Sequence, residues 1–259
     1  MKDIQPGLKD FLSTLERQPS LPYPGQGHTL QRWQMLASVA AQDLSLCKLV
    51  EAHWDALAIL QDLRRMDCHV ASRRWAVWAA DNPKAPLYLV HSNGYAYLKG
   101  SKSWCSGADV VTHALLTCTD DNSESYLCML DLNAKGIEQD HSQWKPLGMR
   151  NVSTVKLHFS QTPVQVLGPS RIYFERSGFW HGGAGIAACW YGAACGIAQK
   201  LRSQLVLSNP HAAAHLGAMF VQLRAARAMF HGLASCIDIK PEQAWTEEIL
   251  ALRSMMRNV

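Results

Sequence analysis

The stretch richest in usable chemistry runs from Tyr95 to Cys118, YAYLKGSKSWCSGADVVTHALLTC. Within it, Lys102-Ser103-Trp104-Cys105-Ser106-Gly107-Ala108 combines a flat aromatic ring, hydroxyls and small residues that leave backbone N–H groups accessible. That set suits the face and edge of a planar, hydrogen-bonding heterocycle. Other constellations are thinner. Cys105 with His113 or His181 supplies the residue types of a thiol nucleophile and a base, but nothing in the sequence sets an orienting third group beside them. Glu51, His53 and Asp55 could serve as an acid/base set; their alternation with apolar neighbours reads instead as exposed helix polarity. His211 and His215 are four apart, a zinc-compatible spacing on one helix face, with no third ligand near in sequence. Gly183-Ala-Gly185-Ile-Ala-Ala188 formally fits a dinucleotide-binding loop, but no strand precedes it and no acidic residue follows until Asp238.

The elements that must hold these residues follow from periodicity. Leu8 to Arg17 is a short helical stretch, followed by a Pro/Gly-rich loop, and Thr29 is placed to cap what comes next. Apolar residues from Leu30 to Leu63 recur every three or four positions, which predicts one or two amphipathic helices. From Ser72 to about Ile172 strand signals dominate: Trp75–Trp78, Leu87–Val90, Tyr95–Leu98, Val110–Thr117, Tyr126–Leu132 and the run through Val155, Leu157 and Phe159. Six or seven strands are expected, with a turn at Lys99-Gly100-Ser101 and a small-residue loop after it. Helices return after Ser177. Phe179 to Ala198 carries no charge but is rich in Gly and Ala and contains His181, so it reads as a buried helix with a packing notch at Gly192–Gly196 and not as a membrane span. Asn209-Pro210 opens a helix to about Ile237, and a last one runs from Glu242 to Arg257. The expected domains are 1–72 (helical), 73–175 (β) and 176–259 (helical).

Composition narrows the class. The chain has 259 residues, is 48% hydrophobic and 18% charged, and carries a net charge of only +4. That is a globular composition with scattered basic residues, which argues against a nucleic-acid partner. The eight cysteines show no CxxC spacing and mostly sit in apolar runs, so they read as free buried thiols of a reducing, cytoplasmic compartment. The N-terminus, MKDIQPGLKD, shows no apolar signal region.

Gly100-x-Lys102-x-Trp104, the small hydroxyl-Gly-Ala loop and the strand after it resemble the flavin-contact segment of acyl-CoA dehydrogenases. Leu147-Gly148-Met149-Arg150, a strand ending at Phe159 and Pro163-Val164 resemble a second segment of that family. The resemblance covers about residues 29–257. It implies an α+β fold: a helical N-terminal region, a central antiparallel β-barrel or sandwich and a C-terminal helical bundle, incomplete in a divergent and apparently C-terminally shortened member. It also implies FAD as cofactor, an acyl-CoA thioester as substrate, an electron-transfer flavoprotein as acceptor, no membrane, and a homodimer or homotetramer. By the resemblance, Trp104 packs on the flavin and Ser106 bonds to its reactive edge, with Cys105 between them. Trp78-Ala79-Ala80 falls where the family carries a hydroxyl-rich loop, leaving backbone atoms or the Trp78 ring as its contacts. The family's carboxylate base takes one of two positions, one late in the C-terminal bundle, which this shortened chain is expected not to reach, and one occupied here by Ile186 and Ala187; Leu207-Ser-Asn-Pro-His211 replaces an Arg-x-x-Phe-Gly segment that helps hold the FAD pyrophosphate. A non-catalytic flavin- or acyl-CoA-binding relative is therefore the alternative, and no catalytic residue is assigned.

Overall fold

The computed structural model describes residues 6–68, 70–176, 178–204 and 209–259, so Leu207 and Ser208 of the replaced motif lie outside the described residues. The helices are α1 (Pro6–Arg17), α2 (Thr29–Gln42), α3 (Leu44–Asp62), α4 (Ile172–Glu175), α5 (Gly178–Gln204), α6 (Pro210–Ile239) and α7 (Thr246–Met256). The strands are β1 (Trp75–Trp78), β2 (Leu87–Ser92), β3 (Tyr95–Ser106), β4 (His113–Thr119), β5 (Ser125–Asp131), β6 (Ile137–Asp140), β7 (Thr154–Pro163) and β8 (Gln165–Val166). The chain divides into two compact units. One is built on the described part of Met1–Ser20 and on Lys48–Arg176, the other on Leu21–Cys47 and the described part of Ser177–Val259.

The first unit centres on one sheet in the order β6-β7-β3-β2-β4-β5-β8, with β1 also paired to β4. Its ladders are antiparallel except β1–β4 and the single parallel bridge Tyr88–Thr119 between β2 and β4. β4 is buried from Ala114 to Cys118, which accounts for its nearly unbroken apolar sequence. Leu98, Leu115, Leu116, Leu127 and Leu157 form the core beneath it.

Two expectations fail here, each for a physical reason. Lys99-Gly100-Ser101 is no turn: β3 continues through it for twelve residues. The register shift there lies on β7, where Ser160 and Gln161 together face Lys99 and Gln161 takes φ +51; Gly100, at φ +114, is where a Cβ would overlap the Pro86 carbonyl. Ser101 N–H then donates to that same carbonyl at 3.0 Å. A glycine inside a strand can mark a close backbone approach as readily as a turn. The polar set on α3 is not solvated either, because Glu51 and His53 are buried. The Trp75 backbone N–H donates to His53 Nδ1 at 3.2 Å, and the His53 ring meets Phe11 edge-on at 6.3 Å. His53 thus ties α3 to the start of β1. Eight strands are present among the described residues, more than periodicity predicted, because β6 and β8 are too short to show one.

The second unit packs α2, α5, α6 and α7 together. α5 lies so close to α2 that a Cβ at Gly192 would overlap the Ala37 carbonyl, and one at Gly196 would sit 2.5 Å from the Ala41 carbonyl. The Gly- and Ala-rich composition is therefore a packing requirement, and no described helix is long and apolar enough to cross a membrane. His181 is buried on α5 and donates from Nε2 to the Gln243 carbonyl at 2.9 Å. The Asn209 side chain caps α6 as expected, accepting from His211 and Ala212 N–H. Contrary to expectation, Thr29 does not cap α2: it is the first helical residue, after His28, and its hydroxyl accepts from the Gly25 N–H. Asp238 of α6 accepts from the Gly27 and Thr29 N–H groups, both at 3.1 Å, and from the Thr29 hydroxyl at 2.5 Å. A carboxylate placed there answers both the orphan donors and the positive end of the helix dipole.

Two substitutions separate close packing from helix propensity. Gly192→Ala should destabilise the protein by about 2–3 kcal/mol through overpacking. Gly217→Ala, at a position on α6 with nothing within 4 Å of a new Cβ, should stabilise it by about 0.5–1 kcal/mol. Urea unfolding of both variants reads the opposite signs. Asp238→Ala should cost about 1–2 kcal/mol in the same assay.

Candidate functional site

Each member of Gly100-x-Lys102-x-Trp104 has its own structural reason. Lys102 is only 2% exposed. Its ammonium donates to Asp81 Oδ1 at 2.8 Å, to the Thr117 carbonyl at 2.7 Å and to Thr117 Oγ1 at 2.9 Å. An ammonium has three protons, so all three are placed, which is the condition for burying it. Thr117 Oγ1 also lies 3.3 Å from the Ala79 carbonyl and 3.2 Å from Asp81 Oδ1. Asn82 Nδ2 donates to Ser103 Oγ at 3.0 Å. Residues 79–82 are irregular, yet these bonds fasten them to β3 and β4.

The β3–β7 ladder passes from Lys102–Leu157 directly to Cys105–Val155, so Ser103 and Trp104 together face Lys156. Trp104 takes the left-handed conformation, φ +60, that such a bulge requires of one residue. A bulky residue there is strained, and bulges re-aim side chains. Trp104 is accordingly 49% exposed while its neighbours Ser103 and Cys105 are buried.

Two residues on, Ser106 Oγ and Thr154 Oγ1 are 2.9 Å apart and share a hydrogen bond. Trp78 is buried, and its indole N–H donates to the Ser106 carbonyl at 3.1 Å. Ser106 is thus held from its hydroxyl and from its backbone. Ala79 is half-buried and Ala80 exposed, on the segment that Lys102 fastens. Cys105 turns its thiol inward, fully buried, with Sγ 3.3 Å from the Lys102 carbonyl; burial pushes the thiol up to about 12. A thiol so shielded is no nucleophile near neutral pH, which removes the thiol-hydrolase reading. His113 meets Trp75 at 5.1 Å between ring centroids, and burial lowers its pKa. His211 and His215 are exposed, and no group of three metal-ligating side chains occurs among the described residues.

The sequence reading named Trp104 and Ser106 but missed the groups that position them: Lys102, Asp81, Thr117 and Thr154. A lysine between strand residues was the available signal for Lys102; its acceptors are fifteen or more residues away and left none. The structure thus sets a part-exposed Trp104 two residues from a hydroxyl and a backbone carbonyl that are each held by a hydrogen bond.

Lys102→Met should destabilise the protein by about 3 kcal/mol, because the Thr117 acceptors are left dry. Asp81→Asn should cost about 1 kcal/mol, since the Asp81 side chain is largely exposed and its charge is screened. Chemical denaturation tests the order. Alkylation of the native protein near neutral pH should leave Cys105 unmodified by mass spectrometry.

The chain matches no family model and no curated protein by sequence. Solved structures do match it. Butyryl-CoA dehydrogenase from Megasphaera elsdenii aligns with TM-score 0.75 at 15% identity, over 87% of this chain and 67% of that one. Methanesulfinate monooxygenase from Pseudomonas fluorescens aligns with TM-score 0.70 at 19% identity, over 89% and 67%. Dibenzothiophene monooxygenase from Paenibacillus aligns with TM-score 0.70 at 18% identity, over 89% and 67%. The chain therefore spans about two thirds of the length of these structures, and along it the polypeptide has the acyl-CoA dehydrogenase-like fold.

Proposed function

We propose that this chain is a flavin-dependent oxidoreductase whose cofactor ring lies on Trp104. The observation that carries the reading is the exposed indole on a left-handed bulge, two residues from a hydroxyl held by Thr154. The fold likeness supports it, as does the FMN bound in a matched Paenibacillus structure. A bound flavin would supply two-electron acceptance from a substrate or, once reduced, the activation of dioxygen. This chain's residues would do the holding. Trp104 would stack on the ring. The Ser106 hydroxyl and the Cys105 and Ser106 backbone would meet its edge, and the backbone of Ala79 and Ala80 would line it, with Trp78 acting through Ser106. A β-domain of residues 73–175 would carry these contacts, preceded in sequence by a helical region 1–72 and followed by another, 176–259.

The resemblance points to FAD and to oxidation of the CH–CH unit of an acyl-CoA, with an electron-transfer flavoprotein as acceptor and a homo-oligomeric assembly. One observation favours a second reaction within the same class. Of the two positions at which the resemblance allows a base, the one at Ile186 and Ala187 on α5 holds no carboxylate. Monooxygenation places no such demand on that position, and two of the matched structures bear monooxygenase names. A flavin binder without turnover is the third outcome.

Purified protein, reconstituted with FAD or FMN, is expected to show bound-flavin absorbance. Trp104→Ala should weaken flavin binding about tenfold, the worth of one aromatic stacking contact. Anaerobic bleaching by an acyl-CoA would select dehydrogenation; oxygen uptake coupled to product formation after flavin reduction would select monooxygenation. Protein that takes up neither flavin would end the proposal.

A further inference from the structure

The helical unit holds a cavity of about 260 Å³ where α2, α5 and α6 meet. Each helix gives it one aromatic wall: Trp33 from α2, Tyr191 from α5 and Phe230 from α6. Phe230 meets the other two edge-on, its ring centroid 5.5 Å from that of Trp33 and 5.4 Å from that of Tyr191. Rings inclined in this way offer both faces and edges to a further planar ring. The volume falls just below the roughly 300 Å³ at which pockets for drug-sized ligands begin, so the occupant is small.

One wall carries a polar group that the fold leaves unanswered. Trp33 shares the buried stripe of α2 with Leu36 and Ala40. It is 2% exposed, and among the described residues its buried indole N–H has no hydrogen-bond acceptor. A dry donor is costly, and a buried indole ordinarily finds a partner. The Tyr191 phenol stays neutral: burial first, and the Cys195 thiol second, push it up to about 12. Charge at the cavity has one sign. Arg227 and His231 of α6 line it, and no described residue of the lining is a carboxylate. A cationic ligand would meet repulsion there.

We infer that this cavity binds a small planar aromatic molecule that bears a hydrogen-bond acceptor and no positive charge. The ring packs among Trp33, Tyr191 and Phe230, and the acceptor answers the Trp33 N–H. The inference goes beyond the flavin reading and does not rest on it, since none of these residues belongs to the ring site.

Calorimetry on the purified chain with 2-naphthoate as probe tests it. Saturable binding below about 1 mM is expected. Decahydro-2-naphthoate, the saturated counterpart, and 2-naphthylmethylamine, the same ring with a cation, should each bind at least about tenfold more weakly. Trp33→Phe keeps a ring but removes the N–H, and should weaken 2-naphthoate about fivefold. Ala37→Leu, which fills the cavity from α2, should abolish binding. Arg227→Glu, at an exposed position, should weaken 2-naphthoate and strengthen 2-naphthylmethylamine. Thermal unfolding reports whether each variant folds, and the surface change at Arg227 keeps the test open if Ala37→Leu does not. Binding should persist in Trp104→Ala, which separates this cavity from the ring site. Absence of saturable binding, equal affinity for the saturated acid, an affinity unchanged by Trp33→Phe, by Ala37→Leu or by Arg227→Glu, or one lost with Trp104→Ala overturns the inference and leaves the flavin reading as it stands.

Discussion

The ammonium of Lys102 is the constraint on which the β-unit's site depends. A lysine at a central strand position brings a charge into the sheet interior, where an unpaired ammonium would cost more than the packing of its stem returns. The structure meets that demand with three acceptors from two other segments, Asp81 on the irregular stretch after β1 and both oxygens of Thr117 on β4. The bonds that solvate the charge therefore fix the course of residues 79–82, which lack strand ladders of their own. Ala79 and Ala80 contribute no side-chain hydrogen bonds, so their placement has to come from neighbours.

The second constraint is the pair of irregularities where β3 meets β7. The strand is long enough to pair with both β2 and β7, and a regular strand of that length would alternate its side chains evenly between two faces. The shift beside Gly100, where β7 carries the extra residue, and the bulge at Ser103–Trp104 on β3 break the even pairing. At the first, the missing Cβ of Gly100 lets the Pro86 carbonyl approach. The second lifts the indole out while Cys105 turns in. Because Trp104 sits at φ +60 without being glycine, the sheet around it must hold the strain; β7 on one side and the Lys102 network on the other supply that hold.

The helical unit solves a different problem by a related device. α5 approaches α2 until backbone meets backbone at Gly192 and Gly196. Close approach leaves little room for side-chain polarity at that seam, and the polar contacts sit at the helix ends instead: Asp238 on the N-terminus of α2, Asn209 on that of α6, and His181 on the Gln243 carbonyl. The α3 histidine has the corresponding part in the β-unit, joining helix to strand through the Trp75 N–H.

Local pattern was enough for the sequence to determine the succession of helical, β and helical segments, the position of α5 with its small-residue notch, and the Asn209 cap. These rest on periodicity, capping and residue type, all of which act within a few positions along the chain. Tertiary structure alone decided the rest. Whether Gly100 makes a turn or continues the strand depends on Pro86, which lies just before β2. Whether Glu51 and His53 meet water depends on what lies over α3. The Lys102 acceptors and the Asp238 contact with α2 join residues far apart in sequence, and hydrogen bonds of that reach leave no periodic trace because their energy depends on where the fold brings the partners together and not on their spacing in the chain.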